Sequence, residues 1–277
     1  MKIFTNCAAN QLGMRGAQLA DHFAIRRLNE TKRIYLGIRG QAANQPDVWP
    51  FWRFNRADAA VMRVMHIAHI KARALTAQAA RPQCGQGALV TAGTGDIAVA
   101  DLDYAASFPS LAGGLPPALK ASVEWASDEL DDDRIEWLRS LPTERRIRYG
   151  EIGVTFCHAS PGSRTIPLSA DLDPSTTLEL IGQTDSRLVC VGFTHQARVK
   201  DYGWKVIVDA GSAGLPYDGE ASATFAVIDI DPEAATISAE IHRATYDTDA
   251  VSDALTARGL AGDAYRAATV RTGKLVR

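Results

Sequence analysis

His158 and His195 each stand just past an apolar run that reads as a β-strand: Gly153-Val154-Thr155-Phe156-Cys157 before the first, and Val189-Cys190-Val191-Gly192 before the second. Imidazole is the side chain whose charge changes near neutral pH and a common ligand of metals, so a histidine at a strand end is either a working group or one simply hydrogen-bonded in place. A third run, Val206-Ile207-Val208, passes into Asp209-Ala210-Gly211-Ser212-Ala213-Gly214. Backbone N–H groups in such a Gly-bounded loop can cradle a phosphate, with Gly211 and Ser212 as the candidates; a structural turn accounts for the same glycines. Loops that carry function often emerge from sheet ends in this way. Ser160 and Ser212 lack any base-plus-orienter arrangement visible in the sequence. His66 and His69 are spaced i, i+3, a spacing that suits one metal on one helix face but more commonly reflects surface or packing.

The elements that must position these groups alternate. Residues 2–5 and 33–37 read as strands and 11–29 as a helix, a β-helix-β order that points to an α/β protein. Residues 58–79 read as a helix with Val61, Val64, Met65, Ala68 and Ala72 on one side, and 87–93 as a third strand. Helices follow at 116–130 and 132–140, each with a tryptophan, Trp125 and Trp137, on its apolar face. From residue 145 onward β-structure dominates, with strands at 145–149, 153–157, 187–191, 198–202, 205–209, 224–229 and 236–243. Asp231-Pro232-Glu233 joins the last two in the manner of a hairpin, and helices at 249–258 and 264–271 close the chain. No internal repeat or low-complexity linker interrupts this order, so one domain over 1–277 is expected.

Composition bounds the rest. The 277 residues are 46% hydrophobic and 22% charged, with a net charge of -2, an ordinary globular balance. A near-neutral chain gives no reason to expect nucleic acid or an anionic membrane as its main partner. No run approaches the roughly 20 apolar residues that span a bilayer, and the N-terminus does not read as a signal peptide, so a cytoplasmic location is expected. The four cysteines are scattered without a CxxC spacing; Cys157 and Cys190 lie inside apolar runs, where a thiol acts as a small hydrophobe. The stretch 39–92 is poor in acids and holds Trp49, Phe51, Trp52 and Phe54 among arginines. That combination can stack on a nucleotide, but in a chain that is not basic overall it reads better as an amphipathic helix with an apolar lead-in.

Several blocks in order resemble the calcineurin-like metallophosphoesterases, specifically their small bacterial phosphodiesterase branch. Phe156-Cys157-His158-Ala159-Ser160-Pro161 is similar to that family's lone-histidine block. Gly192-Phe193-Thr194-His195 is similar to its Gly-His-x-His block, with Phe193 in place of the first histidine. Asp209-Ala210-Gly211-Ser212-Ala213-Gly214, with Pro216, Asp218 and Gly219, is similar to the block that begins Asn-Pro-Gly-Ser. The resemblance covers roughly residues 116–260. In the N-terminal half the layout persists without the ligands: Asn6-Cys7-Ala8 stands where the family has Asp-x-His, Gly37-Ile38 where it has Gly-Asp, and Gly93-Thr94-Gly95-Asp96 where it has Gly-Asn-His-Asp.

What the resemblance implies is a four-layer α/β/β/α sandwich of two mixed sheets flanked by helices, and hydrolysis of a phosphoester or phosphodiester by two cations about 4 Å apart. It also implies a depleted centre. His158 and His195 fall on metal-ligand positions, Asn6 offers a neutral amide where a carboxylate belongs, and Asp96 joins only if its loop shifts. Ile38 cannot replace the carboxylate that offsets repulsion between two dications. The expectation is a divalent metal (manganese, iron, zinc or magnesium) at one site at most, or none, with no residue assigned a catalytic role and hydrolysis weak or lost. The alternative is a non-catalytic relative that uses the old cleft for a phosphorylated small molecule or nucleotide, or as a protein-docking surface.

Overall fold

The computed structural model of the protein describes residues 2–4, 24–26, 33–37, 90–111 and 114–276, the first three segments as backbone only. Labels below run over these residues. Two mixed five-stranded sheets face each other. The first has the order β10-β9-β3-β1-β2, with β1 at Lys2–Phe4, β2 at Ala24–Arg26, β3 at Arg33–Gly37, β9 at Ala223–Asp231 and β10 at Thr236–Ala244. Only β1 and β3 run parallel in it, with Phe4 beside Gly37. The second has the order β4-β5-β6-β8-β7, with β4 at Glu144–Tyr149, β5 at Ile152–Cys157, β6 at Leu188–Val191, β7 at Arg198–Asp201 and β8 at Val206–Asp209. Here β5, β6 and β8 are parallel neighbours, flanked by the antiparallel β4 and β7.

Apolar alternation explains how the sheets stack. Side chains from a strand point alternately to its two faces. Val154, Phe156, Cys190 and Val208 therefore meet Ala226, Ile228 and Ile230 of β9 between the sheets. Their sequence neighbours Cys157, Val189, Val191 and Ile207 face the other way, onto Leu168 and Ile181. Strands buried on both faces read as unbroken apolar runs, as β6 and β8 do. Cys157 and Cys190 end up on opposite faces, both reduced and buried, and burial pushes both thiols well up from their ordinary range.

The helices are α1 (Thr94–Asp101), α2 (Tyr104–Ser107), α3 (Pro117–Asp128), α4 (Asp132–Arg139), α5 (Pro174–Ile181), α6 (Thr248–Arg258) and α7 (Asp263–Thr272). α1, α3 and α4 share a cluster in which Ile97, Val99, Val123, Trp137 and Leu138 are buried and Trp125 packs at the rim. α6 and α7 pack through Val251, Leu255 and Val270 onto Leu215. The β9–β10 hairpin forms as its sequence suggests: Asp231 pairs with Thr236, and the Asp231 carboxylate accepts the N–H groups of Glu233 and Ala234 at 2.9 and 3.1 Å.

Three expectations change or fall out of view. Residues 24–26, expected inside a helix, form β2 and pair antiparallel with β1. Of residues 87–93, expected as a strand, only 90–93 are described; there Ala92 forms a β-bridge and its N–H donates to the Pro142 carbonyl at 2.8 Å. The helix at 58–79, with His66 and His69, and the aromatic cluster around Trp49 lie outside the described residues. Among those residues, no helix is long and apolar enough to cross a membrane.

α5 is held by a buried cation. Lys205, at the head of β8, is 2% exposed, and its ammonium donates to the carbonyls of Ile181 and Thr184 at 2.7 and 2.5 Å. Burial pulls its pKa down from the ordinary lysine value. These are carbonyls at and just past the helix end, where partners run out and a cation is favoured. Lys205→Met fills the space but orphans both carbonyls, and should lower stability by about 1–3 kcal/mol in urea unfolding. A change below about 0.5 kcal/mol would show that water takes over the role.

Candidate functional site

The site forms where the three parallel strands end together. Register places Phe156 beside Cys190, Cys190 beside Val208, and Val191 beside Asp209. The residues that follow β5, β6 and β8 therefore leave from one edge of the sheet, the carboxyl edge at which open α/β sheets commonly bind ligands. The backbone knits these exits together. The N–H groups of Gly192 and Phe193 both donate to the His158 carbonyl, at 3.0 and 3.1 Å. His158 and His195 thus share one neighbourhood although 37 positions separate them in the chain.

His195 is held from several sides. Its backbone is left-handed, with φ 59°, an uncommon conformation for a residue with a side chain. Its carbonyl accepts from Tyr217 N–H at 3.1 Å, and its ring stacks on Tyr217 at 4.5 Å with 12° between planes. Ring atom Nδ1 lies 2.7 Å from the Leu215 carbonyl oxygen. A carbonyl only accepts, so the proton belongs on Nδ1 and Nε2 keeps its lone pair. That is the tautomer a metal ligand or proton acceptor needs. Burial pushes the His195 pKa down to about 4, the carbonyl contact pulling the other way.

His158 is buried and packs at a tilt against Phe193, ring centroids 5.1 Å apart. Burial, then the neighbouring His195, lowers its pKa to about 3. Both imidazoles are therefore neutral at physiological pH, the form that ligates a cation. Phe193 supplies an apolar wall on that side of the ring.

Asp96 sits elsewhere in role. It is the third residue of α1, buried, and its carboxylate accepts the N–H of Gly93 at 2.7 Å, capping its own helix. Thr94 beside it donates its hydroxyl to the Arg164 carbonyl at 2.9 Å, which ties the start of α1 to the loop after His158. Among the described residues, no group of three or more His, Cys, Asp or Glu side chains is placed to hold a metal ion, so Asp96 does not complete a set with the two histidines. Asn6 lies outside the described residues.

The loop at 211–215 uses its donors internally. Gly211 N–H goes to the Asp209 carboxylate at 2.9 Å and Ser212 N–H to the Thr224 hydroxyl at 2.8 Å. The Ser212 hydroxyl accepts from Leu215 N–H at 2.9 Å and is fully buried. Gly211 and Ser212 thus build a turn here. Gly211 also has a steric reason to be glycine: φ is 75°, and a Cβ would stand 2.3 Å from the Thr224 hydroxyl oxygen and 2.8 Å from the Ala197 Cβ.

Sequence reasoning passed over Asp209. It ends an apolar strand, is fully buried, and accepts the Thr194 hydroxyl at 2.6 Å as well as Gly211 N–H. Burial raises its pKa to about 6, against the opposing pull of those two donors and of Arg198. A carboxylate directly after Val206-Ile207-Val208 was the visible signal, because an acid is rarely that deep without a task.

No family model and no curated protein matches this chain. Solved structures do. The chain is similar to a hypothetical protein from Pyrococcus horikoshii, with a TM-score of 0.53, 21% identity, and coverage of 66% of this chain and 72% of that one. It is also similar to a metallophosphoesterase from Sphaerobacter thermophilus, with a TM-score of 0.49, 20% identity, and coverage of 66% and 76%. At such identities the likeness is one of fold. Two mixed sheets face to face and flanked by helices are the arrangement that carries the likeness to the first of these.

Proposed function

We propose that this chain is a calcineurin-like metallophosphoesterase in descent whose metal centre is reduced to one site at most, so that hydrolysis of a phosphoester or phosphodiester is weak or lost. The observation that carries the reading is the pair His158 and His195: two buried, neutral imidazoles at adjoining strand ends. Two imidazoles suit one divalent cation. They do not suit a pair, because Ile38 stands at the position where the similar family carries the carboxylate that offsets repulsion between two dications. A cation held by His158 and His195 would supply a Lewis acid to a phosphoryl oxygen. The protein's own part is to keep Nε2 of His195 unprotonated, through Leu215, and to wall the site with Phe193 and Tyr217.

The test is metal content after incubation with manganese and dialysis, alongside turnover of a chromogenic phosphodiester. The native chain should retain no more than one equivalent and turn over slowly. His158→Ala should retain none. Two retained equivalents with brisk turnover would refute a reduced centre. No retention in the native chain would remove the metal and leave the non-catalytic reading, in which phosphate or nucleotide raises the melting temperature without being hydrolysed.

A further inference from the structure

We propose that Asp209 is the positioning residue of this site, a buried clasp that holds the His195 loop against the 211–217 loop and thereby sets the orientation and tautomer of His195. The proposal rests on the reading of His195 as a site residue.

The geometry is a closed circuit. One carboxylate oxygen of Asp209 accepts the Thr194 hydroxyl at 2.6 Å, immediately before His195; the other accepts Gly211 N–H at 2.9 Å. The same Thr194 hydroxyl oxygen takes Gln196 N–H at 3.1 Å, so it braces both neighbours of His195. From Gly211 the chain runs to Leu215, whose carbonyl takes Nδ1 of His195, and to Tyr217, which binds the His195 carbonyl and stacks on its ring. Asp209 is thus the point at which the two loops that grip His195 are tied to β8. The left-handed backbone of His195 needs such over-determination, because a residue with a side chain holds that conformation only when its surroundings impose it. A group bonded directly to a ligating histidine, as the Leu215 carbonyl is to His195, changes metal affinity by about 10–100-fold when lost, and Asp209 acts by holding the loops that place it.

The clasp works by hydrogen bonding. An amide at this position can accept Gly211 N–H through its oxygen and donate to the Thr194 oxygen, whose own proton then turns to the Gln196 carbonyl, 3.3 Å away. Asp209→Asn should therefore preserve it, while Asp209→Ala removes both contacts and Thr194→Val removes one. Arg198 is the charged side chain that acts on the Asp209 carboxyl, and its guanidinium is already committed to the Leu168 carbonyl.

Two readouts separate the clasp from general stability. The first is long-range nitrogen–proton correlation of the His195 ring in metal-free protein, which reports the tautomer directly. The native chain and Asp209→Asn should show one Nδ1-protonated form; Asp209→Ala and Thr194→Val should show averaging between tautomers. The second is zinc affinity by calorimetry, which should fall about 10–100-fold in Asp209→Ala and recover in Asp209→Asn. If Asp209→Ala keeps the native ring signature, the proposal is overturned. It is equally overturned if Asp209→Asn behaves like Asp209→Ala. Absence of zinc binding in the native chain would instead defeat the metal reading, and the ring signature would still decide the clasp. Should Asp209→Ala fail to fold, Thr194→Val carries the same comparison.

Discussion

Asp263→Ala should destabilise the folded chain by about 3–5 kcal/mol, as removal of one partner from a buried ionic group does. Asp263 opens α7 and is 2% exposed. Its carboxylate accepts Arg258 Nε at 2.9 Å, Arg266 Nη1 at 2.9 Å and Leu260 N–H at 2.9 Å, and contacts Arg258 Nη2 at 2.5 Å. Both guanidiniums are nearly buried. Arg258 lies over the Trp125 ring at 4.8 Å, and Arg266 also donates to the Ala118 carbonyl at 2.9 Å, so the cluster fastens α6 and α7 to α3. Alanine would leave two cations facing each other without the anion between them, and burial already pushes Arg266 down from its usual value. The consequence reaches the site: α6 and α7 pack against Leu215 and Tyr217, which hold His195. Asp263→Asn, which keeps one acceptor and loses the charge, should fall between native and alanine. The urea midpoint of the three chains checks this, and a loss under 1 kcal/mol for alanine would mean that water or a neighbouring acid replaces the carboxylate.

How much of this was legible beforehand depends on what the residue alone decides. His158 and His195 were visible because each ends an apolar run, and β6 and β8 are apolar on both faces. Their surroundings were not. α1 escaped notice because its residues from Thr94 to Ala100 are all buried, so no polar stripe marks a helical period, and Gly95 is a poor helix former. α5 escaped because Thr176 and Thr177 disfavour a helix that Lys205, Pro174 and the Asp173 cap nonetheless secure. β2 was read as helix from spacing, but three residues paired along β1 outweigh a loose helical period. Gly211 and Ser212 showed their glycine-bounded pattern and not the destinations of their N–H groups, which only the fold assigns. Asp209 needed Thr194, on another loop, before it acquired a meaning.

Acid should unfold the metal-free protein through its site. Between pH 7 and pH 4 the unfolding free energy should fall by on the order of 4 kcal/mol, at about 1.4 kcal/mol per pKa unit. The sign follows from proton counting. His158 and His195 titrate near 6.5 when unfolded and at about 3 and about 4 when folded. Below pH 6.5 the unfolded chain binds two protons that the folded chain refuses, so their contribution is complete above that pH and is lost as pH falls toward the folded values. Asp209 acts in the opposite sense: its folded pKa is about 6 against 3.8 unfolded, so the folded chain gains a proton first and part of the loss is offset between pH 6 and 4. Exposed carboxylates held low by hydrogen bonds, such as Asp173, add their own loss only at still lower pH. Two substitutions separate the components. His158→Gln should shrink the loss to roughly 1 kcal/mol, and Asp209→Asn should deepen it by about 3 kcal/mol, both at 1.36 kcal/mol per unit. Urea unfolding at half-unit steps of pH, with chelator present, measures all three. A free energy that stays flat from pH 6.5 to 4 in the native chain would show that the imidazoles are hydrated when folded, and the dry pair on which the metal reading depends would be gone.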